Sequence, residues 1–331
     1  MTDEAAIDRL LHLQPRDIRA LVSKGDHRTA AGDDRAAAAF YRAALKAAAA
    51  AAPLHVDLKP SIERAQAALA QASRAFEQHL ESELTAAGFP VDGRPRRFQD
   101  SIDILTGRRQ VSLQLQRPGG YLYPELPQRR YYERGEFTWA EGVEAVAGMI
   151  REELSSWLEM GSDCFTPYMV NDPTRPRHDA HGLVDNPQWS TLYLWQNGKP
   201  IKEHVAHCPQ TFAAITGLDI PHITTRAPAI LFSRLSAGAR IPPHCGMLNT
   251  RLICHLPLIV PPGCGFRVGG EAREWKQGEL LVFDDTVEHE AWNNGTSDRI
   301  ILIFDIWRPE LSAIERAAIT ALFEAVDSYG R

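Results

Sequence analysis

Apolar and polar positions change period twice along the chain. From Ala5 to Gly88 the apolar positions are mostly alanine, β-branched runs are nearly absent and Pro and Gly are few. Summed over such a window, that composition predicts about three or four helices. Between Phe89 and Arg134 the pattern dissolves into Pro, Gly and Arg, with Pro90, Pro95, Pro118-Gly119-Gly120 and the run from Pro124 to Arg130. An extended or irregular segment is expected there. Helical spacing returns from Trp139 to Leu158, where Val143, Val146, Ile150, Leu154 and Leu158 fall on one face that should lie against a sheet. From Trp189 onward the runs are short, β-branched or aromatic, and separated by Gly, Pro and Asn turns: Trp189 to Gln196, Ala229 to Leu235, Arg251 to Val260, Gly265 to Val268, Leu280 to Phe283 and Arg299 to Ile306. Strands that follow helices instead of alternating with them predict an α+β chain whose sheet part is a sandwich or small barrel.

Three segments follow: a helical accessory segment over 1–88, a linker over 89–123 and a β domain over 124–331. Within the first, Ala20-Leu21 with Gly25-Asp26, Gly32-Asp33, Ala36 to Ala39, Phe40-Tyr41 and Ala44-Leu45 resemble one tetratricopeptide-type helical hairpin. A single hairpin cannot bury its faces alone, so it must pack on the following helix, about Ser61 to Ala87, or on the β domain. Two uses are open: an arm for docking or oligomerisation, and a peptide-binding groove.

The 331 residues carry 36 Lys+Arg against 42 Asp+Glu, a net charge of −6, so no general electrostatic attraction to nucleic acid or an anionic membrane is expected. Five cysteines, Cys164, Cys208, Cys245, Cys254 and Cys264, are odd in number and lack a C-x-x-C pair, which points to reduced thiols. The acidic start and the lack of a run long enough to span a bilayer make the cytoplasm the expected location, without stable membrane insertion.

His244 and His289 each stand at the rim of an apolar, β-patterned run, and neutral imidazoles at strand edges suit a redox-active first-row metal such as iron. The pair by itself is ambiguous, because a structural histidine has the same surroundings and the residue two after His244 is Gly246, not a carboxylate. In an extended strand Arg251, Ile253 and His255 share one face, and Leu252, Cys254 and Leu256 the other. Arg299 opens a strongly apolar strand, so its guanidinium needs an anion. A bound dicarboxylate and an ion pair with Asp284, Asp285 or Asp305 are both open. Asp284 and Asp285, just before His289, read either as turn formers or as partners for backbone or an imidazole.

Taken together, Ser233, Pro243 to Leu258, Val268-Gly269-Gly270-Glu271, Phe283 to Trp292 and Arg299 to Leu311 resemble the aspartyl/asparaginyl β-hydroxylase family. The resemblance runs from about Pro124 to Leu311 and includes Trp189 and Leu194-Trp195-Gln196. It implies a double-stranded β-helix (jelly-roll, cupin-like) dioxygenase using Fe(II), 2-oxoglutarate and O2. By the same resemblance His244 and His289 are the metal ligands and catalytic centre, with water where the family branch has glycine in place of a carboxylate. Ser233, His255 and Arg299 then contact the cofactor, and Arg251 meets the substrate. Ile253 stands where animal members carry a second cofactor-binding arginine. The implied substrate is an Asp or Asn side chain of a peptide or protein, hydroxylated at the β-carbon; a lipid acyl chain or a free amino acid is the alternative within the family. A non-catalytic metal-binding barrel used as an interaction module is the alternative outside it.

Overall fold

The computed structural model describes residues 3–51, 55–110, 115–161, 164–171, 174 and 182–329. Met1-Thr2 and residues 111–114 of the expected linker lie outside the described residues. The chain divides into two compact units: 1–93 with 171–180 and 321–331, and 94–170 with 181–320.

The first unit holds α1 (Glu4–Leu13), α2 (Ile18–Ala30), α3 (Asp34–Ala50), a short 3-10 turn and α4 (Lys59–Ala86). Each of the first three helices starts where an aspartate can cap it: Asp3, Asp17 and Asp33 accept from the amides of Ala5, Ala20 and Ala36. Leu21, Val22, Phe40, Tyr41 and Ala44 form the buried seam of the α2–α3 hairpin, with Ala65 of α4 packed on it. Gly25 permits the close approach, since a Cβ there would fall 2.5 Å from the Tyr41 ring. Lys24 is buried in α2 and is satisfied by α1, through Glu4 at 2.8 Å and Asp8 at 2.5 Å.

The second unit begins with a correction to the linker reading. Residues 96–105 form α5 (Arg96–Leu105), which buries Phe98 and Ile102. Its surrounding Pro, Gly and Arg masked a single amphipathic turn pattern; Ser101 on the buried face meets the Tyr121 hydroxyl at 2.6 Å. Then come β1 (Tyr131–Tyr132), α6 (Ala140–Ala145) and α7 (Ala147–Glu159), so the expected single helix is divided at Val146. The chain continues through β2 (Thr166–Pro167), β3 (Trp189–Gln196), β4 (Lys199–Pro200), α8 (Lys202–Val205) and α9 (Pro209–Thr216). Eight further strands follow: β5 (Ile230–Leu235), β6 (Arg240–His244), β7 (Arg251–Ile259), β8 (Cys264–Val268), β9 (Glu271–Arg273), β10 (Leu281–Phe283), β11 (His289–Asn293) and β12 (Arg299–Trp307). The last helix, α10 (Ala313–Ser328), is divided between the two units at Thr320.

The strands form two antiparallel sheets, one ordered β1-β10-β7-β12-β5-β3-β2 with β4 on β3, the other β6-β11-β8-β9. From β5 onward the chain passes back and forth between the sheets, with β8 and β9 paired as a hairpin in the smaller one. This is a jelly-roll arrangement. Side-chain alternation then sorts the larger sheet into two faces. Leu252, Cys254 and Leu256 of β7, with Ile300, Leu302 and Phe304 of β12, pack outward on Val143, Ile150 and Leu154 of the helices. Ile253 and Ile301 turn inward, into a second cluster with Phe266, Val268, Phe283 and Ala291. The interior face is therefore the one that carries Arg251, His255, Arg299 and Ser233. Among the described residues no helix is long and apolar enough to cross a membrane.

Candidate active site

The smaller sheet sets the two histidines side by side. His244 ends β6, His289 opens β11, and the two are direct cross-strand partners, so their rings lie 4.1 Å apart between centroids. Each ring is oriented by its own strand: Nδ1 of His244 meets the carbonyl of Pro242 at 2.8 Å, and Nδ1 of His289 that of Val287 at 3.0 Å. With Nδ1 engaged, Nε2 is the nitrogen by which each ring would hold a metal. Burial, and then the neighbouring His244, push the His289 pKa down to about 3, which keeps the imidazole neutral.

The third position of a facial triad is closed in an unexpected way. A Cβ on Gly246 would lie 2.0 Å from Asp285 Oδ2, so the Asp285 carboxylate fills the space beside position 246. The Gly246 amide also donates to the Asp285 carbonyl at 2.6 Å. Among the described residues no group of three or more His, Cys, Asp or Glu is placed to hold a metal ion. Burial pushes the Asp285 carboxyl up to about 6, against the opposing pull of Arg251.

Arg299 is 1% exposed, and its Nε and Nη1 have no hydrogen-bond partner. Its guanidinium lies over the Trp275 ring, 4.8 Å from the centroid, and burial depresses its pKa to about 10. The aspartates considered for it are engaged elsewhere. Asp284 holds Arg308 at 2.8 Å and accepts from Gln116 at 2.6 Å. Asp285 and Asp305 both hold Arg251, at 3.4 Å and 3.0 Å. Arg251 therefore has two carboxylate neighbours before any substrate arrives, while its Nε remains without a partner.

Ser233 and His255 complete the inward face. Ser233 lies opposite Ile301 of β12 and Thr191 of β3, and its Oγ accepts from Trp189 Nε1 at 3.3 Å. The Thr191 hydroxyl beside it is buried without a partner. His255 Nδ1 accepts from Trp275 Nε1 at 3.3 Å, which places the imidazole proton on Nε2. Burial, with Arg299 and His289 adding to it, drives the His255 pKa well down. Ile253 is buried in the interior cluster among apolar neighbours. The sequence reading missed Trp275, Thr191 and the Asp285–Gly246 contact, since each depends on which side chains the sheets bring face to face.

The fold is a jelly roll whose interior side carries a cross-strand histidine pair and a buried arginine with two unsatisfied nitrogens. A family model described as "Aspartyl/Asparaginyl beta-hydroxylase" matches residues 144–309, half of the chain. The chain belongs to that family, and so to a family of hydroxylases. It is 36% identical over 191 residues to the aspartyl/asparaginyl beta-hydroxylase of Mus musculus, covering 57% of this chain and 24% of that protein. Against the aspartate beta-hydroxylase domain-containing protein 1 of Mus musculus the identity is 30%, over 70% of this chain and 62% of that one. Against the ornithine lipid ester-linked acyl 2-hydroxylase of Rhizobium tropici it is 32%, over 56% and 63%. The chain thus spans about a quarter of the first relative and under two thirds of the other two. The Schizosaccharomyces pombe Cnp3 cupin domain is similar only at 10% identity and a TM-score of 0.26, over 37% of this chain and 67% of that one, too distant to carry an argument.

Proposed function

We propose that this protein is an Fe(II)- and 2-oxoglutarate-dependent dioxygenase that hydroxylates an unactivated carbon, with the β-carbon of an Asp or Asn residue in a peptide as the favoured target. The carrying observation is Arg299, a fully buried cation whose two unsatisfied nitrogens belong to the interior face shared with the histidine pair. Leaving such a group unpaired costs several kcal/mol, about what a bound carboxylate would recover. Ser233, on the neighbouring strand, offers a hydroxyl to the same dicarboxylate, and His255 a proton on Nε2. The donor set fits the metal as well, since two neutral imidazoles on neighbouring strand ends suit Fe(II).

Iron with 2-oxoglutarate would supply the oxidising chemistry, in which one atom of O2 enters the substrate C–H bond and the other enters succinate as CO2 leaves. This chain's residues do the rest. His244 and His289 fix the metal, Arg299 and Ser233 fix the far carboxylate, and the apolar Ile253, Phe266 and Phe283 exclude water. Arg251 faces the substrate with its fork of donors part-filled by Asp285 and Asp305, leaving Nε to offer a carbonyl or carboxylate.

Succinate formation from 2-oxoglutarate should be measured in the wild type and in His244→Ala and His289→Ala. Strong loss in both variants is the expected result. Metal binding without succinate under any substrate condition would indicate the non-catalytic barrel instead.

A further inference from the structure

Two oxidisable rings lead from the histidine pair toward the surface. Trp189 lies 6.0 Å from the His244 ring between centroids. Tyr168, just after β2, stacks on Trp189 with centroids 4.1 Å apart and planes 12° from parallel. The backbone fixes this stack, since the Tyr168 amide donates to the Trp189 carbonyl at 3.0 Å. Exposure rises along the row, from 9% at Trp189 to 38% at Tyr168, so the outer ring meets solvent. The rings beside His289 differ in chemistry: Phe266 and Phe283 stand 6.1 and 5.3 Å from it, and phenylalanine is far harder to oxidise than tryptophan or tyrosine. Trp189 also donates from Nε1 to Ser233 at 3.3 Å, so its ring can lose an electron while the proton stays held.

We propose that Trp189 and Tyr168 form an electron relay, which carries oxidising equivalents from the metal position to the surface when no substrate takes them up. The proposal rests on the dioxygenase reading above and adds a protective function to it. Electron tunnelling weakens exponentially with distance, so two short steps through neighbouring rings outrun one long step to solvent. In each passage Trp189 gives one electron to the metal position. Tyr168 refills Trp189 by losing one electron and its phenolic proton, and the proton goes to water. The phenoxyl radical left at Tyr168 then takes a hydrogen atom from an enediol reductant such as ascorbate. Two passages, with two protons taken up at the site, restore Fe(II) there, and the oxygen atom meant for the substrate leaves as water. Without this exit the same equivalents attack side chains next to the metal position, a competing reaction that an oxidising site has to exclude.

Full-length protein loaded with Fe(II) and 2-oxoglutarate is exposed to O2 without a substrate and frozen at intervals. Succinate, the radical signal by electron paramagnetic resonance and oxidised residues by peptide mass spectrometry are followed together. The expected result in the wild type is a tyrosyl radical that ascorbate removes. Tyr168→Phe keeps the stack but should lack that signal, and should carry about threefold or more oxidised Trp189 per succinate formed. Trp189→Phe should lose the tyrosyl radical, because the link between Tyr168 and the metal position is cut. Counting per succinate cancels a general loss of turnover in either variant, and the Tyr168→Phe comparison stands by itself should Trp189→Phe fail to fold. Succinate without a tyrosyl radical, a radical that persists in Tyr168→Phe, or oxidation of Tyr168 that persists in Trp189→Phe would each overturn the proposal alone. No succinate in the wild type would overturn the dioxygenase reading and the relay with it.

Discussion

Arg299 has opposite effects on folding and on binding. As a buried cation with two unpaired nitrogens it destabilises the ligand-free fold, so Arg299→Met is expected to raise the melting temperature of protein without 2-oxoglutarate. The same substitution should remove the charge-assisted bonds to the oxo acid, about 1.5 to 3 kcal/mol, which lowers 2-oxoglutarate affinity roughly tenfold to over a hundredfold. Thermal melts with and without 2-oxoglutarate check both halves, because only the wild type should be stabilised by the ligand. Gly246 gives a second contrast. Restoring a carboxylate by Gly246→Asp should not build a three-ligand site, since the new Cβ would fall 2.0 Å from the Asp285 carboxylate. The expected outcome is a less stable protein with weaker Fe(II) affinity, read by denaturation and metal titration; tighter metal binding would show that Asp285 moves aside freely.

At the scale of elements, the turn between β10 and β11 decides where His289 stands. Asp284 is fully buried there and joins Arg308, Gln116 and the Thr286 amide and hydroxyl, so it ties the turn to the end of β12 and to the 115–117 segment. Removing one member of a buried ion pair leaves the other uncompensated, at about 3–5 kcal/mol. Asp284→Ala should therefore lower stability by about that amount in urea denaturation, against less than about 0.5 kcal/mol for an exposed change such as Glu274→Ala. Asp285, one residue on, faces the opposite way and holds Arg251. Two adjacent aspartates in one turn thus do different work, and the strand register alone separates them.

For the whole chain, the two units answer differently to acid. In the helical unit the Lys24 and Arg28 side chains hydrogen-bond Glu4 and hold its carboxyl down to about 2. A depressed carboxyl stabilises the fold above its unfolded pKa of about 4.5 and loses that contribution as pH falls toward 2. Glu4→Gln should be less stable than the wild type near pH 6, and the gap should close between pH 4.5 and 2. Circular-dichroism melts across that range read it; a gap independent of pH would remove Glu4 from the balance. In the sheet unit the buried neutral His289 costs stability as pH falls from its ordinary value of 6.5 toward its folded value of about 3, because only the unfolded chain takes up the proton there, so this loss begins at higher pH than that of Glu4.

What the sequence determined follows from period and composition. Period-2 alternation in Arg251–Ile259 put Arg251, Ile253 and His255 on one face before any sheet was known, because alternation is a property of one strand; which face is interior was decided by the sheets. Alanine content likewise marked the first helices locally. The strands Arg240–His244 and His289–Asn293 were harder to read: Pro242-Pro243 interrupts one, and the other is short and half polar, so neither carries a strong period. The helix Arg96–Leu105 was hidden among breakers and became visible only through its buried face. Which aspartate meets which arginine was undecidable from spacing, because Asp284, Asp285 and Asp305 are all within reach of several arginines along the chain. Only the pairing of β6 with β11 and of β7 with β12 gave Asp285 and Asp305 to Arg251, left Arg299 unpaired and set Asp285 against Gly246. A strand's own pattern fixes its faces, but register between strands is a property of the folded sheets, and this site is assembled across that register.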